Sequence, residues 1–165
     1  MSIIIRQATV EDMPSVLEIV NHEILHSTSI YDYEPRTLAL QNALFHEKTE
    51  RNFPFIVAEK NGVIVGFGTY GPFRFKEAYK FTVEHSVYVH KDYTGNGIGS
   101  TLLKELIELA KLNQLHTMIG VIDSENKGSI SFHERMGFKV SGHLKETGFK
   151  FGRWLDSVFV QLILK

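Results

Sequence analysis

Apolar side chains recur along this chain with two periods, and the switching between them sets out the elements. Ile3, Ile4 and Ile5 form a β-branched run, and Thr9 and Asp12 follow at capping-box spacing, so a short strand is predicted to hand over to a helix near Val10. Met13, Val16, Leu17, Val20 and Ile24 then recur at helical spacing. A polar stretch dotted with aromatics over 26–34 leads to Pro35, and a second helical pattern runs from about Thr37 through Leu40, Leu44 and Phe45. Residues 55–70 are two β-rich runs split by Asn61-Gly62, the dipeptide a type I′ hairpin turn favours because both central residues need positive φ. A connection over 71–78 precedes a run over about 81–89 that predicts a central strand. Glycine-rich residues 90–99 follow, and then Leu102, Leu103, Leu106, Ile107 and Ala110 return to helical spacing. Residues 117–122 read as the next strand, 129–136 as a helix stopped by Gly137, and 138–143 and 158–164 as closing strands. With hairpins first and a strand-helix-strand unit later, this order predicts one α/β domain over 1–165, a mixed sheet flanked by helices.

Composition narrows the classes of function. The chain has 165 residues, 43% hydrophobic and 22% charged, which suits one globular domain with a sizeable core. A net charge of -1 offers no broad basic field, so neither nucleic acid nor an acidic membrane surface is an expected partner. There are 0 cysteines, which excludes disulfides, thiolate metal sites and a cysteine nucleophile. The apolar run that begins at Met1 is interrupted by Arg6 and lacks a small-residue cleavage site, and no apolar run reaches the ~20 residues of a membrane span. A cytoplasmic protein is expected. His22 and His26 share a helix face but have no third ligand at metal spacing, so no metal site is expected.

The glycine-rich stretch carries chemistry. A strand, then Thr94, Gly95, Asn96, Gly97, Ile98, Gly99 and Ser100, then a helix, brings backbone N–H groups and a helix N-terminus to one spot, where glycines let a phosphate approach. The loop lacks the Lys-Ser/Thr pair of a P-loop, and no acidic residue ends a strand about 20 residues on, as a dinucleotide fingerprint requires. By itself it also reads as a glycine-rich turn without a ligand.

Residues 94–99 resemble the pyrophosphate loop of the GNAT superfamily of N-acetyltransferases. Gly97 and Gly99 match its pattern, while Thr94 stands where that family usually has Arg or Gln. A second similarity follows at Asn126, Ser129, Phe132, His133, Glu134, Gly137 and Phe138. The resemblance narrows to the phosphinothricin and methionine sulfoximine acetyltransferase branch over 82–89 and again over 148–156, and it spans nearly the whole chain. It implies a central, mostly antiparallel sheet and acetyl-CoA as acetyl donor. The donor's arm would pair with backbone around Val87, Tyr88 and Val89, its pyrophosphate would lie on the 94–100 loop, and Asn126 and Ser129 would help fix it. Glu84 is implied as general base. Arg74 and Lys76 are implied to hold the carboxylate of an amino-acid acceptor, although Lys76 stands where the branch commonly has a second Arg and lacks its bidentate geometry. His133 falls where many members carry a tyrosine acid. The branch also implies a homodimer, with an interface near the segment of Trp154 and Asp156.

The residues support much of this chemistry on their own. Acyl transfer needs a neutral amine, so a carboxylate must take a proton, and burial of Glu84 within an apolar strand would raise its pKa towards that task. An oxyanion wants preorganised N–H donors, which a splayed strand around Val87 could supply, and a histidine such as His133 suits protonation of a thiolate. Bland readings stand beside these: Glu84 as an ion-paired strand carboxylate, His133 as a packed helix residue, and Arg74 as a solvated loop arginine. Tyr31 and Tyr33 either line the acceptor pocket or cover the core edge. Trp154 is expected to pack its ring with the N–H bonded. Two other functions remain: acetylation of a polyamine, aminoglycoside or protein N-terminus, and a non-catalytic CoA-binding domain.

Overall fold

In a computed structural model, which describes residues 2–165, Asn61 and Gly62 adopt φ of 53° and 77° and join β2 (Phe55–Lys60) to β3 (Val63–Pro72) as the expected hairpin. Met1, where the apolar N-terminal run begins, lies outside the described residues. The hairpin belongs to a seven-stranded sheet with order β1-β2-β3-β4-β5-β7-β6. The other strands are β1 (Ile4–Gln7), β4 (Thr82–Val89), β5 (Thr117–Asp123), β6 (Lys139–Lys150) and β7 (Arg153–Ile163). All neighbours are antiparallel except β4 and β5, which confirms a mixed, mostly antiparallel sheet.

Helices cover both faces. The first begins later than its pattern suggests, because residues Val10–Asp12 form a 3-10 turn before α1 (Met13–His26). Asp12 accepts from the Thr9 N–H at 2.8 Å and from both terminal nitrogens of Arg6 at 2.8 Å, so this cap is also an ion pair and Asp12 is held below the usual carboxylate range. α1 packs Met13, Val16, Ile19, Val20 and Ile24 with Phe45, Phe55, Val57 and Phe67 into one core. α2 (Leu38–Glu50) starts on the Thr37 hydroxyl, which accepts from the Leu40 N–H at 3.1 Å. Its buried side chains are Gln41 and Phe45, whereas Leu40 is exposed, so the inward face differs from the one its leucines suggest. On the other side of the sheet α3 (Ile98–Leu112) buries Ile98, Leu102, Leu103, Leu106, Ile107 and Ala110, each larger side chain worth ~1.5–3 kcal/mol against exposure. α4 (Lys127–Arg135) ends before Gly137, whose φ is 96°.

The closing strands differ from the sequence expectation. β6 and β7 are 12 and 11 residues long and form one long hairpin that turns at Phe151 and Gly152, with φ of 54° and 74°. The polar segment 145–148 obscured it: the register shifts between Leu144 and Gly148, and Glu146 bulges out with φ 54°. Trp154 lies within β7, 62% exposed, edge-on to Phe149 at 5.0 Å. The packed, N–H-bonded role expected for it is corrected accordingly: an outward-facing strand position leaves its ring on the surface. At the other end, β3 runs through Gly71, which the sequence reading assigned to a connection, and sets it opposite Glu84.

Candidate active site

The two parallel strands part company within three residues. Pairing of β4 with β5 covers Thr82↔Thr117, Val83↔Met118 and Glu84↔Ile119 and then stops, although β4 stays paired to β3 and β5 to β7. His85 marks the fork. Its ring lies against β5, with Nδ1 2.9 Å from the Ile119 carbonyl, and a Cβ on Gly120 would stand 2.8 Å from its Cε1. Glycine at 120 is what admits the ring. Beyond the fork the edge of β4 over 85–89 faces a cleft of about 1020 Å³ rather than a neighbouring strand.

The glycine loop closes one end of this cleft. Gly95 and Gly97 adopt φ of 78° and 76°, conformations that glycine enters without a Cβ penalty, and Gly97 is the N-cap of α3. The first bond of that helix runs from the Thr101 N–H to the Gly97 carbonyl, so the amides of Ile98, Gly99 and Ser100 have no partner within the helix. Thr94, Gly95 and 97–100 border the cleft with Val87, Tyr88 and Val89 of β4, with Asn126 just before α4 and with Ser129 in it. Asn96 does not border it. Its Nδ2 donates to the carbonyls of Tyr93 and Thr94 at 3.1 and 3.2 Å, bracing the loop from behind. Asn126 caps α4 by accepting from the Ser129 N–H at 3.0 Å.

Glu84, Ser86 and Tyr88 border a second cavity of about 380 Å³ as well as the cleft, so one strand face connects the two. Burial raises the Glu84 pKa, and the positive charges of Arg74 and Lys48 pull it back. Lys48, from the inward side of α2, lies in this second cavity without an ion-pair partner among the described residues, and desolvation lowers it to about 8. Its Nζ fills the space beside Gly71, where a Cβ would stand 2.9 Å away. Arg36, Arg51, Glu47 and the 87% exposed Phe75 also line this cavity, with Arg36 paired to Asp32 at 2.9 Å and Arg51 to Glu47 at 3.7 Å. Arg74 and Lys76 are exposed and border neither cavity; Arg74 packs its guanidinium over the Phe73 ring at 4.3 Å. Of the two early-loop tyrosines, Tyr31 borders the cleft and Tyr33 donates to the Phe149 carbonyl on β6.

His133 is buried at the floor of the cleft. Its Nδ1 is 2.7 Å from the Ser129 carbonyl and its Nε2 is 2.9 Å from Nε2 of His85. Burial lowers its pKa, and the bond to the Ser129 carbonyl opposes that shift.

Residues 17–138 match the model of the acetyltransferase (GNAT) family. The chain belongs to this family. Among GNAT relatives, it is 43% identical over 165 residues to an L-methionine sulfoximine/L-methionine sulfone acetyltransferase of Pseudomonas aeruginosa, covering 99% of this chain and 96% of the relative. An N-acetyltransferase from Staphylococcus aureus superposes with a TM-score of 0.98 at 41% identity over 100% of both chains. A GNAT phosphinothricin acetyltransferase from Sinorhizobium meliloti, solved with acetyl-CoA, superposes with a TM-score of 0.95 at 35% identity, covering 99% of this chain and 89% of that one.

Acetyl-CoA is the acetyl donor of this GNAT protein, and the cleft fits it. Unpaired first-turn amides and left-handed glycines suit a pyrophosphate, and an unpaired strand edge suits an arm that carries amides. Among the described residues no cluster of three or more side chains could hold a metal ion. Sequence reasoning brought out most of the cleft but missed Lys48 and His85. A signal for Lys48 existed, since it continues the Gln41-Phe45 stripe at helical spacing and is therefore a charge on an inward face. His85 gave none, because its partner is 48 positions away.

Proposed function

We propose that this chain transfers the acetyl group of acetyl-CoA to the α-amine of a small amino acid or analogue, such as methionine sulfoximine, methionine sulfone or phosphinothricin. The observation that carries this reading is a half-buried carboxylate, Glu84, standing where the donor cleft meets a small cavity that holds the Lys48 cation, unpaired among the described residues. Bound acetyl-CoA supplies an activated acetyl thioester. Glu84 takes the proton from the acceptor's nitrogen, and its raised pKa brings it nearer the operating pH without abolishing its charge. Lys48 inside the cavity attracts the acceptor's carboxylate, joined by Arg74 and Lys76, which flank the cavity-lining Phe75. Backbone N–H groups about Val87 face charge that develops on the acyl oxygen, and His133 is the proton donor on the cleft side.

Lys48, the cavity cation without an ion-pair partner among the described residues, opposes a polyamine or an aminoglycoside, whose positive charge would meet a like charge, whereas Arg36 and Arg51 are paired with Asp32 and Glu47. The test is CoA thiol release from acetyl-CoA with phosphinothricin, methionine sulfoximine, spermidine or an aminoglycoside as acceptor. Release with the two amino-acid analogues alone is expected. Release only with a cationic amine would overturn the acceptor assignment, and CoA binding without turnover of any amine would leave a non-catalytic domain.

The reading includes a homodimer that works in the cytoplasm. Leu144, Phe149, Phe151 and Trp154 present exposed apolar surface along the β6-β7 hairpin, which suits a self-complementary contact. Among the described residues no helix is long and apolar enough to cross a membrane.

A further inference from the structure

The two buried imidazoles pose a question of proton counting. His85 Nδ1 lies 2.9 Å from the Ile119 carbonyl and His133 Nδ1 lies 2.7 Å from the Ser129 carbonyl. A carbonyl oxygen only accepts, so each Nδ1 carries its proton. Two neutral rings of that tautomer would then point bare Nε2 lone pairs at each other across 2.9 Å. A hydrogen-bond distance of that kind requires a proton between the nitrogens. A neutral alternative has His133 protonated on Nε2 alone, with its bare Nδ1 accepting from the Ser129 hydroxyl. That hydroxyl is 3.5 Å away, at the limit of a bond, while the bare nitrogen would face the carbonyl at 2.7 Å. The short contact decides against it.

We propose that His85 and His133 hold one proton in common between their Nε2 atoms, so that His85 is a positioning residue that keeps His133 charged with the proton it donates. The surroundings leave this to the pair alone. His85 is packed by Gly120 of β5, by Phe138 and by His133 of α4, and His133 by Phe132 and Phe138. Among the described residues, His133 is the one titratable group whose charge bears on His85, and no carboxylate faces either ring. Desolvation, with repulsion from His133, pushes His85 down to about 3 and burial lowers His133 as well, which bars a fourth proton near neutrality; the third is held against that desolvation by the 2.9 Å contact between the two Nε2 atoms.

The donor role rests on the proposed acetyl transfer; the proton count does not. In turnover the carbon-sulfur bond breaks as the carbon-nitrogen bond forms. The shared proton passes to the sulfur, and the pair is left neutral with two repelling Nε2 lone pairs, a state that lasts only until a proton returns. Glu84 takes the amine's proton and yields it to solvent, and the pair takes one proton back from solvent, so protons balance.

Nitrogen-15 NMR of histidine-labelled protein without acetyl-CoA tests the count between about pH 6 and 8. Both Nδ1 atoms protonated and one Nε2 proton coupled to both rings is the expected result. Two unprotonated Nε2 atoms, or an unprotonated Nδ1 on either ring, would overturn the proposal without recourse to any variant. In kinetics, His85→Phe keeps a ring but no acceptor. It is expected to lower kcat by ~10²-fold, to leave the acceptor KM within about twofold, and to move the high-pH limb of kcat to lower pH. An unmoved limb in a folded variant would remove the positioning role. A protein that carries the shared proton yet acetylates no amine would instead defeat the acceptor reading and leave the pair standing.

Discussion

Glu84 and Lys48 are opposite charges that both lose solvation in the same cavity, and their shifts predict opposite behaviour. Burial raises the carboxylate, so kcat/KM should fall as pH drops through the Glu84 pKa and the base becomes protonated. Glu84→Gln should abolish that acid limb and cost ~10²–10⁴-fold in kcat while CoA affinity, read by calorimetry, stays unchanged. For Lys48 the folded pKa, about 8, lies below the reference 10.5. Between those values the unfolded chain binds more protons than the folded one, so stability should rise with pH across that window. Lys48→Met should remove this rise and stabilise the acceptor-free protein at pH 7 by on the order of 2 kcal/mol, seen as a higher melting temperature. The same variant should raise the acceptor KM by ~10–100-fold, since a charge-assisted contact to the carboxylate is worth ~1.5–3 kcal/mol. A residue that costs folding and serves binding would show both effects.

At the level of elements, the fork between β4 and β5 depends on the absence of one methyl group. In Gly120→Ala the new Cβ would meet the His85 ring at 2.8 Å and Val160 at 2.9 Å, with backbone strands on both sides. Overpacking of this kind costs ~1–3 kcal/mol, and a weaker affinity for CoA should accompany it, measurable in the same calorimetric titration. Which elements could be read from sequence follows from how local their causes are. Asn61-Gly62 prescribes its own φ values, and the leucines of α3 repeat on one face, so hairpin and helix were both legible. The glycine loop was legible for the same reason. The β6-β7 hairpin was not, because its bulged middle carries Lys145, Glu146 and Thr147, and alternation fails where a strand lies on the surface with a bulge. The inward face of α2 was masked by exposed Leu40, and the link from His85 to His133 is a product of topology alone.

For the whole molecule, the exposed hairpin sets the first expectation. Light scattering should return twice the chain mass of 18.8 kDa, and Trp154→Glu with Phe151→Glu should return the single mass with the fold retained. A second consequence comes from the alternation along β4, where Glu84, Ser86 and Tyr88 border both cavities. Occupants of the two cavities then share three side chains, and whatever one does to their positions the other meets. Linkage makes such an influence reciprocal: the factor by which CoA changes acceptor affinity must equal the factor by which acceptor changes CoA affinity, with ~5–150-fold as the usual range. An acceptor analogue whose binding CoA tightens would retain CoA by the same factor, and the enzyme would then be inhibited most firmly after turnover, by the pair that the strand holds together.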